Sequence, residues 1–341
     1  MSALLEVEHL VLHFPVRGGI LFDRKLGEVH AVDDVSFTLR EGETLGIVGE
    51  SGCGKTTLAR CIVRLLRPTA GQIRFRGQDI TTAGRRALRP VRSQLQMVFQ
   101  DPQASLNPRK RAGQIIGGAL RLRGIRGPAV TERTRELLRR VGLDPEHANR
   151  FPHEFSGGQR QRIGVARALA MDPSLIVLDE PVSALDVSIQ AQVINLLDDL
   201  QDAFGLSYIF VAHDLSVVRH VSDRIAVMYL GKVMELSPAE ELYVKPVHPY
   251  TAALLASIPV PGPRENRARP RAVVAGEPPD PIAPPSGCRF HPRCPRATAV
   301  CQKVERPLVE HAPGHLAACH HPLNLTLDDD RAVDGAYSRA R

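Results

Sequence analysis

The sequence predicts an α/β fold built on a mixed sheet, with an antiparallel β part, an α-helical subdomain and a small Cys-rich C-terminal extension. Three observations lead there. Apolar runs at Thr44–Val48, Ser174–Leu178 and Ser207–Ala212 have the length of strands buried on both faces. Segments with helical apolar spacing separate them, which is the alternation of a parallel sheet covered by helices. Two or three strand-like stretches flank the first run and supply the antiparallel part.

In chain order, Leu4–Phe14 and His30–Leu39 read as strands, and Pro15–Glu28, with three glycines, reads as the loop between them. After Thr44–Val48 comes a Gly-rich turn, then a helix over Leu58–Leu66 that Pro68 stops. Gln72–Arg76 is a strand ended by Gly77. Residues 85–167 are dense in arginine and helical in spacing, and read as a helical subdomain with a solvated basic face. Within it, Thr131–Val141 is a helix with Thr131 as its cap and Gly142 at its end. Arg160–Met171 is another helix, and Val187–Phe204 is an amphipathic one closed by Gly205. Arg224–Tyr229 and Lys232–Leu236 flank Leu230-Gly231 as a hairpin. Residues 1–240 thus form one domain, 241–285 a linker or strap that holds the HPYT segment and is rich in Pro and Arg from Pro259, 286–322 a Cys- and His-rich metal-binding module, and 323–341 a frayed tail. No internal repeat is visible.

Composition narrows the function classes. The chain has 341 residues, of which 43% are hydrophobic, enough for a sizeable core. A net charge of +7 suits an acidic ligand or a membrane surface. Aromatics make up only 4% and Trp is absent, which argues against stacking platforms for single-stranded nucleic acid. No apolar run reaches the length of a membrane span, and the N-terminus lacks a cleavable signal pattern, so the expected place is the cytosol. Six cysteines there are not expected to form structural disulfides. Cys53 and Cys61 read as small fillers, whereas Cys288, Cys294, Cys301 and Cys319 crowd the C-terminal part.

The Gly-rich turn carries the chemistry. Gly49-Glu50-Ser51-Gly52-Cys53-Gly54-Lys55-Thr56-Thr57 has the pattern G-x-x-x-x-G-K-[ST] between a strand and a helix. Glycines let the backbone turn its N–H groups inward, and the helix N-terminus adds positive potential, so the loop cradles phosphates. Lys55 reaches the terminal phosphates and the Thr56 hydroxyl ligates Mg²⁺. Asp179 and Glu180 end the strand LIVLDE, where Asp179 fits the Mg²⁺ side and Glu180 a water-polarising role. Ser156-Gly157-Gly158-Gln159 opens a helix and makes a second anion-binding end. One site has little use for two such ends, which suggests that two chains share each nucleotide.

These motifs together resemble the ATPase subunit of an ATP-binding cassette (ABC) transporter. They stand in the family's order over residues 1–240: GESGCGKT at 49–56, Gln100 in MVFQDP, FSGGQ at 155–159, LIVLDE at 175–180, SALD at 183–186 and His213 in VAHD. The resemblance implies a head-to-tail dimer in which each ATP lies between one phosphate loop and the other chain's Ser156–Gln159. It implies that Gln100 contacts Mg²⁺ and the attacking water and reports to the membrane partner. His213 would hold the γ-phosphate and Asp186 would cross the dimer interface. An aromatic residue stacks on adenine in this family, with Phe14 the best match and Phe22 the alternative. Phe155 replaces the commoner Leu and Val182 the frequent Thr, and neither change removes a phosphate-touching group.

The C-terminal part resembles that of dipeptide and oligopeptide importers, and of their second ATPase most. HPYT at 248–251 and GCRFHPRCPRA at 287–297 carry the likeness. It implies a sibling ATPase in a heterodimer, two membrane-spanning permease subunits and an extracytoplasmic peptide-binding protein. The place implied is peripheral, on the cytoplasmic face of the inner membrane. The spacing C-x₅-C-x₆-C-x₁₇-C is not that of paired zinc knuckles. Four soft ligands in so small a segment suggest that metal supplies folding energy. The resemblance favours a [4Fe–4S] cluster on Cys288, Cys294, Cys301 and Cys319. Zinc, with His291, His315 or His320 replacing a thiolate, is the alternative. Relatives that import nickel or glutathione share much of this pattern. An excision-repair type of ABC ATPase would explain the basic charge and the Cys cluster, but not the HPYT segment.

Overall fold

A computed structural model describes residues 3–18, 24–258 and 276–324. Phe22, residues 259–275 of the strap and the tail from 325 lie outside the described residues. In chain order the elements are β1 (Ala3–Gly18), β2 (Arg24–Arg40), β3 (Thr44–Val48), α1 (Lys55–Ile62), β4 (Ala70–Phe75), β5 (Gln78–Asp79), α2 (Leu88–Gln94) and β6 (Leu95–Val98). Next come α3 (Pro102–Ser105), α4 (Ala112–Leu122), α5 (Pro128–Arg140), α6 (Gly157–Leu169), β7 (Leu175–Asp179), α7 (Val187–Phe204), β8 (Ser207–Val211) and α8 (Leu215–Val221). The chain ends with β9 (Arg224–Tyr229), β10 (Lys232–Pro238), α9 (Ala239–Val244), α10 (Pro249–Ser257), α11 (Ala299–Lys303), β11 (Val309–Ala312) and β12 (His315–Ala317).

Two sheets organise these elements. The larger runs β11-β12-β10-β9-β3-β8-β7-β6, and the smaller runs β2-β1-β4-β5. In the larger sheet β9, β3, β8, β7 and β6 are parallel neighbours, while β10, β12 and β11 add antiparallel. β3, β7 and β8 are buried at every position, as their uniform apolar runs predict. Alternate residues serve opposite cores. Leu175 and Val177 pack with α1 and the smaller sheet, whereas Ile176 and Leu178 pack with the helical part. No helix among the described residues is long and apolar enough to cross a membrane.

Four elements differ from the sequence reading. The predicted loop Pro15–Glu28 is mostly ladder, because β1 and β2 stay paired through Pro15↔Glu28, Val16↔Gly27 and Gly18↔Arg24. The helix after the phosphate loop ends at Ile62, well before Pro68. Arg64 turns left-handed (φ 56°), and the N–H groups of Leu65 and Leu66 fold back onto the Arg60 carbonyl. The arginine's guanidinium then holds the turn by donating to the carbonyls of Ile80 and Leu66. α5 begins a turn earlier than Thr131, at Pro128, whose fixed φ suits the first helical position. The Cys-rich segment does not stand apart: β12 pairs with β10 through Glu235↔Ala317 and Leu236↔Leu316. An aromatic cluster of Tyr229, Tyr250 and Phe290, with ring centroids 4.7–5.4 Å apart, packs α10 and the Cys-rich segment onto β9.

Candidate active site

The site forms where β3, β7 and β8 end, the side of an open α/β sheet on which ligands bind. Two glycines of the loop are demanded by geometry. Gly49 has φ 154°, and a Cβ there would lie 2.1 Å from the Met228 carbonyl oxygen. Gly54 has φ 108°, and its Cβ would lie 2.0 Å from that of Ala31. Behind Gly54, α1 starts at Lys55, whose buried Nζ donates to the carbonyls of Gly49 (2.8 Å) and Glu50 (3.0 Å). Those bonds hold the ammonium at the loop, where a phosphate can replace them.

A cavity of about 570 Å³ opens over this loop. Ser51, Gly52, Gly54, Lys55, Thr56 and Thr57 line its floor. Gln100, Glu180 and His213 line one wall, and Phe14 and His30 the other. Its size suits a nucleotide. Phe14, from β1, is partly exposed and presents an aromatic ring to the cavity. Cys53 does not line the cavity: its side chain is buried behind the loop with Sγ 3.9 Å from Lys55 Nζ, and burial raises its thiol pKa.

Asp179 ends β7 almost fully buried and accepts a hydrogen bond from Thr56 Oγ1 at 2.9 Å. Burial pushes its carboxyl above the usual carboxylate value, while Thr56 opposes that rise. A divalent cation beside Thr56 would favour the charged form. Glu180 follows in a left-handed backbone conformation (φ 46°), fixed by its N–H bonding the Val211 carbonyl at 2.9 Å. Its Oε2 accepts from Gln100 Nε2 at 2.8 Å and lies 3.6 Å from His213 Nδ1. One carboxylate thus meets the ends of β6 and β8 over the phosphate loop, an arrangement that can accept a hydrogen bond from a water beside a bound phosphate.

Ser156, Gly157, Gly158 and Gln159 are not in this cavity. They open α6, with Ser156 Oγ accepting from the Gln159 N–H (3.3 Å) and Gln159 Oε1 from the Ser156 N–H (3.0 Å). Asp186 is exposed at the start of α7 and also lies elsewhere.

The four C-terminal cysteines lie near enough to one another to interact electrostatically, though among the described residues no three of their sulfurs lie within 4.8 Å of one another. Cys288 N–H donates to the Cys301 carbonyl at 2.8 Å, and Cys288, Cys294 and Cys301 all perturb the Cys319 thiol. Burial raises Cys288 to about 11 and Cys319 to about 12, and raises Cys294 too. Backbone N–H groups of Phe290, His291, Arg296 and His321 oppose this at the sulfurs of Cys288, Cys294 and Cys319.

Sequence reasoning missed the residues that hold the site from behind. From the C-terminal part, Tyr250 and Arg293 contact Glu50 of the phosphate loop and Arg289 contacts the Leu230 carbonyl at the cavity's edge, with Arg293 243 positions away from its partner Glu50. The H-P-Y-T segment was a signal that Tyr250 matters, but nothing local says what it touches.

Two family models match the chain. One, described as ABC transporter, covers residues 32–183, and the other, oligopeptide/dipeptide transporter C-terminal region, covers 234–301. The oligopeptide transport ATP-binding protein AppF of Bacillus subtilis is 57% identical over 94% of this chain and 97% of its own length. The probable peptide ABC transporter ATP-binding protein y4tS of Sinorhizobium fredii is 54% identical over 94% of this chain and 90% of its own. Among solved structures, cbiO1 from Clostridium perfringens, part of the ABC transporter complex cbiONQ, superposes with TM-score 0.61 at 26% identity. It covers 72% of this chain and 92% of that one. The ATP-binding cassette MJ0796, a post-hydrolysis dimer with ADP and Pi, superposes with TM-score 0.61 at 27% identity over 69% and 98%. The phosphate loop, the carboxylate pair and these likenesses agree: the chain belongs to the ATP-hydrolysing subunits of ABC transporters, in the branch that carries the oligopeptide/dipeptide transporter C-terminal region.

Proposed function

We propose that this subunit hydrolyses ATP to power import of di- and oligopeptides across the cytoplasmic membrane, on whose inner face it docks. The observation that carries hydrolysis is the meeting of Gln100, Glu180 and His213 over a phosphate loop backed by Thr56 and Asp179. Lys55 and the loop's N–H groups bind the β- and γ-phosphates, and Thr56, Asp179 and Gln100 hold Mg²⁺. Glu180 polarises the water, and His213 holds the γ-phosphate. Positioning and charge stabilisation supply most of the rate. The names of AppF and y4tS favour peptide over nickel or glutathione as cargo.

Ser156–Gln159 lies outside the cavity, which favours its use on a second chain's nucleotide, a sibling ATPase being the partner. A groove of about 940 Å³ lined by Leu65, Met97, Phe99, Ile115 and Leu122 suits a permease segment. Leu65 and Leu122 are well exposed there, and Phe99 adjoins Gln100, so a segment seated in the groove would press on the hydrolytic wall. The binding protein on the far side would deliver the peptide.

For the cysteines we favour a [4Fe–4S] cluster held by Cys288, Cys294, Cys301 and Cys319. Backbone N–H groups directed at sulfur suit thiolates. Zinc, with a histidine replacing a thiolate, is the alternative: His291 and His320 each bond a carbonyl through one ring nitrogen and keep the other, whereas His315 faces Glu235 and Glu241 through both. The cluster would supply a covalent staple to a segment with little core of its own.

Uptake by the reconstituted importer, with dipeptides, longer peptides and nickel in competition, tests the cargo. ATP-dependent peptide uptake is expected, and uptake of nickel alone would overturn the peptide reading.

A further inference from the structure

Beside Cys294, Arg293 is nearly buried, and its Nη1 donates to both carboxylate oxygens of Glu50, at 2.8 and 3.1 Å. Glu50 is the second residue of the phosphate loop. Its N–H donates to Tyr250 Oη at 3.1 Å, and its carbonyl accepts from Lys55 Nζ at 3.0 Å. Beside Cys288, Arg289 pairs with Asp33 and donates to the Leu230 carbonyl. Asp33 in turn lies 3.3 Å from His13 Nε2 and 3.5 Å from His30 Nδ1, and His30 lines the nucleotide cavity. Next to Leu230, the Gly231 N–H donates to the Cys53 carbonyl at 2.8 Å. Arginines flanking two of the four cysteines therefore hold the phosphate loop, through Glu50, and the His30 side of the cavity, through Asp33 and the Leu230 carbonyl.

A cation is an alternative occupant of the His13, His30 and Asp33 cluster, whose ligand atoms lie within 4.8 Å of one another. Arg289 and Lys232 already neutralise Asp33, which leaves little attraction for a metal. The Arg293–Glu50 pair carries the argument further. A carboxylate inside a phosphate cradle repels the anion the loop must bind. Arg293 cancels that charge, and it fixes the side chain of the residue whose carbonyl holds Lys55.

We propose that the Cys-rich segment is a working part of the nucleotide site, and that Arg293 is a positioning residue which neutralises Glu50 and braces the phosphate loop for ATP. The inference rests on the ATPase reading and on no particular metal. It requires the loop to bind ATP better with Arg293 seated than with it removed, a coupling of the ordinary intramolecular size.

The test is ATP and adenosine binding by calorimetry on the full chain, with metal content and circular dichroism checked for every variant. Arg293→Met is expected to weaken ATP binding about tenfold and adenosine binding little. Arg293→Lys should recover part of the loss. Adding Glu50→Gln to Arg293→Met should restore ATP affinity to within about threefold, because the uncompensated charge is gone. Mere loosening of the fold would not be repaired by that second change. If Arg293→Met binds ATP as tightly as the parent, or if the double variant stays as weak as the single one, the proposal fails. If Arg293→Met does not fold, Arg293→Lys, with and without Glu50→Gln, decides by the same comparison. A parent protein that binds no ATP would overturn the ATPase reading and this proposal with it.

Discussion

Gln100 Nε2 donates to Glu180 Oε2 at 2.8 Å, tying the end of β6 to the end of β7 directly above the phosphate loop. A glutamine at 180 would keep an oxygen for that bond and lose only the carboxylate's ability to polarise water. Glu180→Gln should therefore leave ATP affinity within about twofold and cut single-turnover hydrolysis by about 10²–10⁴-fold. Rapid-quench measurement decides it, and a near-normal rate would remove Glu180 from the hydrolytic role.

Asp179 makes a different prediction. Burial raises its carboxyl pKa, so the folded chain holds a proton more tightly than the unfolded one. Ionised Asp179 is then a cost to folding once the pH exceeds its folded value, and a bound Mg²⁺ offsets it. Asp179→Asn should hold or raise the melting temperature without ligand. It should abolish the extra stabilisation that Mg²⁺ adds to ATP. Thermal shift with ATP, with and without Mg²⁺, measures this; an unchanged Mg²⁺ increment would contradict the assignment.

Much of this site was legible because its signals are local. The loop at 49–57, the acidic pair at 179–180 and the SGGQ turn each sit at a strand or helix end that the apolar pattern marks. The glycines at 49 and 54 show why: a Cβ at either would strike a neighbouring carbonyl. Non-local relations were hidden. Nothing near Arg293 announces that it reaches Glu50, since that pairing depends on β12 adding to β10 and on the aromatic packing of Phe290 against Tyr229. The strand extension through Pro15 was obscured by glycines that read as a turn, and α1's early end by an arginine in a conformation favoured by glycine.

Ser156 caps α6 on the exposed side of the helical part, away from its own chain's nucleotide cavity. Ser156→Arg should leave ATP binding to the isolated subunit within about twofold. It should prevent ATP-dependent association with the partner ATPase and reduce hydrolysis by about 10²-fold or more. Sedimentation with ATP in the Glu180→Gln background reads association, and unimpaired dimers would count against the shared site.

The cysteine assignment predicts colour. Protein purified anaerobically should be brown, with iron and acid-labile sulfide in similar amounts, and Cys301→Ser should lower both. Colourless protein carrying stoichiometric zinc, or no metal, would overturn the cluster.

His248 links acid stability to the loop. It is fully buried, its Nδ1 accepts from the Tyr250 N–H at 3.0 Å, and burial lowers its pKa to about 4, with Glu235 opposing the shift. The unfolded chain therefore binds the proton more readily, and stability falls as the pH drops from the ordinary histidine value towards 4. Over that window the loss is on the order of 3 kcal/mol. His248→Phe should cost about 1 kcal/mol at pH 7.5 through the lost cap, yet lose less than the parent between pH 7 and 5. Urea midpoints at the two pH values measure both effects, and parallel declines would show that another group controls the acid response. Tyr250 Oη accepts from the Glu50 N–H, so protonating His248 also loosens one of the two C-terminal contacts on the phosphate loop. The folded chain keeps His248 neutral until the pH nears 4, so between pH 7 and 5 ATP affinity should not fall on its account even as stability does.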